Sequence, residues 1–295
     1  MPCKCEVKPV RYHLKLENAD GDQIDMSTTA LRYMMSNVTG LDPPAASIST
    51  STYATRNGCL LNRAFLEKRN IVISFEMRGI GIEARRHALY QVVKTAQPIR
   101  VYYRTSAIDV YADGIVETCE INRFQSGVSG QISILCPDVY FYSCKETVVV
   151  FGSTISGFKF PFAIEEKPGV PLGTYRTEDT VEIINEGDEV GLTIDLEAHD
   201  GVVYMPTIYN ADTGEYLRIT GEIQPEDKIT ISTKRGSRTV TLTRNGVTTV
   251  IMNRWVSGST WFTLPPGASH FYLTAVSGLK YLTATFHHTD AYLGV

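Results

Sequence analysis

Turn residues interrupt this chain at short, regular intervals, and that punctuation leaves room for little except short strands. Beyond about residue 142, Asp200-Gly201, Asp212-Thr213-Gly214, Asn245-Gly246 and Pro265-Pro266-Gly267 separate alternating stretches rich in Thr, Val, Ile and Tyr. Alternation over four to eight residues between such signals reads as antiparallel strands. The spacing predicts strands at 147–151, 158–162, 181–184, 191–197, 207–210, 216–220, 228–233, 238–243, 247–252, 260–264, 269–275 and 281–287. That succession is the pattern of a β-sandwich or jelly roll.

The first half differs. From 81 to 94, Ile82, Ala88, Leu89, Val92 and Val93 recur at helical spacing, Glu83, Arg85, Arg86 and Gln91 take the other face, and Pro98 follows. One amphipathic helix of about three turns is expected there. Asn18-Ala19-Asp20-Gly21-Asp22 sits between two short alternating runs, predicting an N-terminal hairpin. Strands are expected at 71–77, 99–103, 111–122 and 130–136, which makes this half α+β. Residues 36–70 hold Gly40, Pro43-Pro44, a Ser/Thr tract and Asn57-Gly58 without a sustained apolar stripe. A loop of that length is uncommon inside a domain, so the segment reads as an extended arm or long hairpin that finds its partner elsewhere.

The whole therefore reads as mainly β, with an α+β first domain at 1–141 and a β-sandwich at 142–295. A length of 295 residues suits two domains. The first segment carries 16 basic and 14 acidic groups and the second 12 and 18. At a net charge of -4 no basic face is evident, which argues against duplex nucleic acid as a partner. The longest apolar runs, such as Val148-Val149-Val150-Phe151, fall far short of a membrane span, and the start MPCKCEVKPV lacks the apolar stretch of a signal peptide. A soluble protein made in a cytoplasm is the expectation. Six cysteines (Cys3, Cys5, Cys59, Cys119, Cys136, Cys144) spread over the first half are read as free thiols.

Chemical motifs are few. Gly79-Ile80-Gly81-Ile82-Glu83-Ala84 follows a strand and opens a helix, as a dinucleotide fingerprint does, and Arg104 ends the next strand. Against that reading, the strand before it alternates Phe75 and Met77 with Glu76 and Arg78, whereas a central parallel strand is apolar throughout. The glycines are read as a strand-to-helix turn. Cys3 and Cys5 lack a second ligand pair for zinc. Asp20, Asp22 and Asp25 fall short of a calcium loop. His287 and His288 are adjacent and face opposite ways on a strand, each read as a surface or turn-proximal residue. Glu165-Glu166 and Asp188-Glu189 read as solvated turns rather than glycosidase carboxylates. Trp255 and Trp261, the two tryptophans, are either core or the stacking surface of a carbohydrate-binding module, the alternative function. No catalytic, cofactor or metal residue is assigned, and an enzyme is not expected.

A family resemblance gathers these features. In the first domain Val38-Thr39-Gly40-Leu41-Asp42-Pro43-Pro44, Asn57-Gly58, Arg69-Asn70-Ile71-Val72-Ile73, Glu83-Ala84-Arg85-Arg86-His87-Ala88-Leu89-Tyr90 and Leu135-Cys136-Pro137-Asp138-Val139-Tyr140-Phe141 occur in order. In the second come Ile184-Asn185-Glu186-Gly187-Asp188, Pro206-Thr207-Ile208-Tyr209-Asn210, Thr213-Gly214-Glu215, Asp227-Lys228-Ile229-Thr230-Ile231-Ser232-Thr233, Ser259-Thr260-Trp261-Phe262-Thr263-Leu264-Pro265-Pro266-Gly267 and Ala291-Tyr292-Leu293-Gly294-Val295. Their order and spacing resemble the distal tail protein family of siphovirus-type bacteriophages. The resemblance implies a tail-tube-like N-terminal domain with a sheet, one helix and a long arm, followed by a galectin-like β-sandwich. It also implies a virion structural protein at the tail tip, assembled in the host bacterial cytoplasm. There a hexameric ring would join the tail tube to the tail-associated hub protein and support receptor-binding proteins. The arm at 36–70 would clasp a neighbouring copy. No sequence-specific nucleic acid, membrane insertion or cofactor is implied.

Overall fold

The structure, a computed structural model, describes residues 12–27, 32–122, 128–152, 154–156, 173–175 and 180–295. The strand expected at 158–162, the Glu165-Glu166 pair, Cys3 and Cys5 lie outside them. The chain forms two units, residues 1–144 with 291–295, and residues 145–290.

The first unit is built on β1 (His13–Asn18), β2 (Gln23–Ser27), β3 (Met34–Thr39), β4 (Ala46–Thr52), β5 (Cys59–Leu66), β6 (Arg69–Met77), α1 (Ile82–Val92), β7 (Pro98–Arg104), β8 (Asp109–Ile121), β9 (Val128–Cys136) and β10 (Phe141–Ser143). Side-chain alternation puts Leu14, Leu16, Ile71, Ile73, Phe75 and Met77 on one face, all fully buried. The order runs β8-β7-β1-β2-β3-β6-β9, and β9 pairs with β8 again. Rather than separate antiparallel sheets, one sheet closes on itself as a barrel. The long β8 makes the closure. Its first half pairs with β7, its second half with β9, and the register shifts between Val116 and Thr118. Such a bulge bends a strand enough to serve both neighbours. The single parallel junction, Ser27 opposite Met34, joins β2 to β3.

The helix spans 82–92 where 81–94 was expected. Gly79 and Gly81 both lie at positive φ, 88° and 80°, so they make the turn that the sequence assigned to them. Leu89 and Val92, with Val93 just beyond, enter the core beside β1 and β2. Ala88 instead faces solvent, and Arg85 and Arg86 are half-buried. Past β10, the strand Ala291–Tyr292 pairs with Phe141 and Tyr142, which is why the last five residues belong to this unit. A division at 141/142 that keeps 291–295 with the second half, as expected from the sequence, does not anticipate that return.

The second unit sets two antiparallel sheets face to face. One orders Thr147–Gly152, Leu282–His288, Thr193–Ala198, Lys228–Ser232, Thr239–Arg244 and Val247–Val250; the other orders Val181–Asn185, Gly267–Thr274, Thr207–Asn210 and Tyr216–Arg218. Phe271 of the four-stranded sheet meets Phe286 of the six-stranded sheet with ring centroids 5.5 Å apart, and Phe262 packs on Phe271 at the same distance. Asn245 and Gly246 both take positive φ, 51° and 76°, the backbone that a two-residue hairpin turn demands. The expectation of a mainly β chain with one helix is borne out among the described residues.

Candidate functional site

The feature with the least support from its own unit is the hairpin of β4 and β5. Among the described residues these strands pair only with each other, from Ala46 opposite Leu66 to Thr52 opposite Cys59, with a register shift between Ser49 and Thr50. The segment expected to be an arm at 36–70 is narrower than that, because its ends are barrel strands β3 and β6 and only 46–66 stand away. All eight residues of β5 are exposed. Ile48, Leu61 and Phe65 keep 61%, 60% and 50% of their surface in solvent, with Leu60 and Leu66 also exposed. Across the register shift, Leu61 and Leu66 share one face with Ile48, and Leu60 and Phe65 share the other. Both faces are therefore apolar, while Arg63 lies over Phe65 and Arg56 over Tyr53. A lone two-stranded hairpin is marginal in water. Full burial of a large apolar side chain gains about 1.5–3 kcal/mol, so covering these five half-exposed residues gains on the order of 5 kcal/mol.

The hairpin is held at its root by Arg69, the first residue of β6 and 1% exposed. Its Nη1 donates to the carbonyls of Gly40 (2.5 Å) and Asp42 (2.8 Å); its Nη2 donates to Val139 O (2.7 Å) and Leu293 O (2.6 Å); its Nε donates to Val139 O (3.2 Å). The guanidinium also lies 4.3 Å from the centroid of Phe141. Burial works against its charge and lowers its pKa, and Asp138 and Asp42 favour the charged form. Next to it, Gly40 stands at φ 87° with the Asn70 backbone so close that a Cβ would meet Asn70 O at 2.1 Å. Val295 N donates to Leu41 O at 3.0 Å.

The residues singled out in the sequence do not converge. At Gly79–Gly81 the Arg85 side chain donates to the carbonyls of Arg78 and Ile80 at 2.8 and 2.9 Å and so braces the turn. Arg104 pairs with Asp109 at 3.5 Å. Asn18 Oδ1 accepts the amides of Asp20 and Asp22, which makes that acidic run a hairpin turn. Asp188 O accepts from Asn185. Among the described residues no three ligating side chains gather as a metal site would require. Trp255 and Trp261 are neither core residues nor two separate platforms. They stack on each other at 3.9 Å and 13°, so each covers one ring face of the other. Burial pushes the thiols of Cys119, Cys136 and Cys144 up to about 11.

His287 and His288 do face opposite ways at the end of their strand, His287 half-buried rather than on the surface. His288 is buried, with Nε2 3.1 Å from Ile184 O and 3.4 Å from Asp290. His287 is part of a network that the sequence did not reveal. Asp195 accepts from Thr230 Oγ1 (2.6 Å) and Lys228 Nζ (2.7 Å), with His287 Nε2 at 3.3 Å. The hydrogen bond to Asp195 raises the Lys228 pKa. These residues come from three neighbouring strands, and only the register brings them together. Two tyrosine ladders share that origin: Tyr102, Tyr111 and Tyr142 on the barrel, and Tyr272, Tyr209 and Tyr216 on the four-stranded sheet.

Residues 187–289 match the family model described as siphovirus-type tail component, C-terminal domain. No curated protein matches the chain. Among solved structures the chain is similar to the Dit (gp 19.1) protein of phage SPP1, described as a paradigm of the hub adsorption apparatus in phages infecting Gram-positive hosts. The TM-score is 0.64 at 13% identity, over 94% of this chain and 98% of that one. It is also similar to chains of the phage P2 baseplate in its activated conformation with calcium and with strontium. Each has a TM-score of 0.50 and 13% identity, over 96% and 98% of this chain and 99% and 100% of the other. At such identities the likeness is one of fold, and it covers both units.

Proposed function

We infer a ring-forming structural role from a chain whose second unit is a siphovirus-type tail component domain and whose whole fold is that of a distal tail protein. The chain is a structural protein of the distal tail or baseplate, located at the virion tail tip. The first unit forms a hexameric ring, in which each hairpin 46–66 lies against a neighbouring copy. One face of the ring meets the tail tube and the other the tail-associated hub protein. The second unit, as a galectin-like sandwich, supports receptor-binding proteins. The observation that carries the reading is the hairpin itself, apolar on both faces and fully exposed along β5. A surface of that kind marks an interface.

The test is the mass of the purified protein by light scattering, with negative-stain images, for the wild type and for a variant in which residues 46–66 are replaced by a short glycine-serine turn. Rings from the wild type and folded monomers from the variant are expected. A wild type that stays monomeric at every concentration refutes the ring, and a variant that still forms rings refutes the role of the hairpin.

A further inference from the structure

We propose that Arg69 and the segment 291–295 form a latch that holds the hairpin by its root, so that releasing the segment frees the hairpin while the barrel stays folded. Four stretches far apart in the chain meet at this point: 40–43, 69–70, 138–141 and 291–295. Arg69 is the one side chain described that joins all four, through the carbonyls of Gly40, Asp42, Val139 and Leu293 and the ring of Phe141. The fork of the guanidinium makes this possible, because five donors in one rigid plane reach in several directions at once. A lysine carries the same charge on a single nitrogen and cannot span the same carbonyls.

The segment adds its own contacts to the root. Val295 N binds Leu41 O, and Gly294 lies so near Pro43 that a Cβ would meet Pro43 Cδ at 2.7 Å. On the far side, the bond from Glu67 N to Ala45 O, at 2.8 Å, closes the base of the hairpin. The two chain segments entering and leaving the hairpin are therefore tied to residues 293–295 on one side and to each other on the other. By contrast, the strands of the barrel wall, β1 and β7, pair over six positions and take no part in the junction. A locally weak region beside a strongly paired one opens independently of it. The inference concerns the isolated chain and holds whether or not the ring reading does.

Hydrogen exchange on the full chain tests it, with the wild type compared to Arg69→Lys, to Gly294→Val and to a chain ending at residue 292. Expected is at least tenfold faster exchange at Glu67 and at residues 66–70 in all three variants, with β1 and β7 as protected as before. Unchanged exchange at the root in Gly294→Val and in the shortened chain overturns the proposal. So does loss of protection in β1 and β7 together with the root in those two variants, because root and barrel would then be one cooperative body. If only Arg69→Lys unfolds the barrel, the other two variants decide by the same criteria.

Discussion

Gly40 and Gly21 share the same backbone conformation, φ 87°, in different surroundings, and this pair allows a clean measurement. A methyl group added at Gly21 would find nothing within 4 Å; at Gly40 it would meet Asn70 O at 2.1 Å and Asn70 C at 2.9 Å. Gly21→Ala therefore costs only the left-handed conformation, about 1–2 kcal/mol. Gly40→Ala adds a clash with backbone that cannot swing aside, roughly 1–3 kcal/mol by the measure of overpacked sites. Moving Gly40 also loosens its carbonyl from Arg69, about 1.5–3 kcal/mol for a bond to a charged group. The sum is about 3.5–8 kcal/mol against about 1–2. Both tryptophans lie in the second unit, so far-UV circular dichroism must follow the first unit while tryptophan fluorescence reports the second. At roughly 2–4 °C per kcal/mol for a unit of this size, Gly40→Ala lowers its melting temperature by about 7 °C or more and Gly21→Ala by about 2–8 °C. The fluorescence transition stays in place for both. A Gly40→Ala protein no less stable than Gly21→Ala refutes the reasoning about close approach.

In the second unit, Gly278 at φ 78° faces Val202 O at 2.1 Å from a Cβ position, so Gly278→Ala shifts the fluorescence transition and leaves the first unit unaffected. The Asp227 carboxylate is held below its ordinary pKa, first by its hydrogen bonds from Arg244 and then by the Gln224 amide. A depressed folded pKa gives stability that is present above the unfolded value near 4 and is lost as pH falls through the folded one. The urea midpoint of Asp227→Asn, followed by tryptophan fluorescence, accordingly lies well below wild type at pH 7 and converges on it toward pH 3; a constant gap contradicts the assignment. In a Cys3→Ser, Cys5→Ser background, alkylation at pH 8 followed by mass spectrometry labels exposed Cys59 well before half-buried Cys119 and buried Cys136, whose thiols are pushed up to about 11.

Local chemistry was legible wherever neighbours in sequence are neighbours in space. The helix, the Asn18–Asp22 hairpin, the Gly79–Gly81 turn and most strands of the sandwich follow from periodicity and turn residues that act over a few positions. The barrel was not legible, because its closure depends on β8 serving β7 with one half and β9 with the other, and no local pattern encodes a second partner. Arg69 read as part of the arm at 36–70; its role comes from carbonyls of residues 40, 42, 139 and 293, and carbonyls carry no sequence signal. The exposure of the arm was readable from its missing stripe, yet its strands 46–52 and 59–66 were hidden by the Ser/Thr tract, which has β propensity without alternation. Trp255 and Trp261 invited two opposite readings because ring stacking between them depends on a connection that only the folded chain displays.

The return of residues 291–295 to the barrel makes the second unit an insertion within the first. A ribosome releases the first 144 residues long before the strand that completes their sheet has been made. The barrel closes through β8 and β9 without that strand, but the edge of β10 stays unpaired until the whole sandwich has been synthesised. Closing a contact between Arg69 and Leu293, 224 positions apart, is a late and entropically expensive step. During that interval the apolar hairpin is also uncovered. Until residues 291–295 emerge, the hairpin therefore projects from a root that is not yet held.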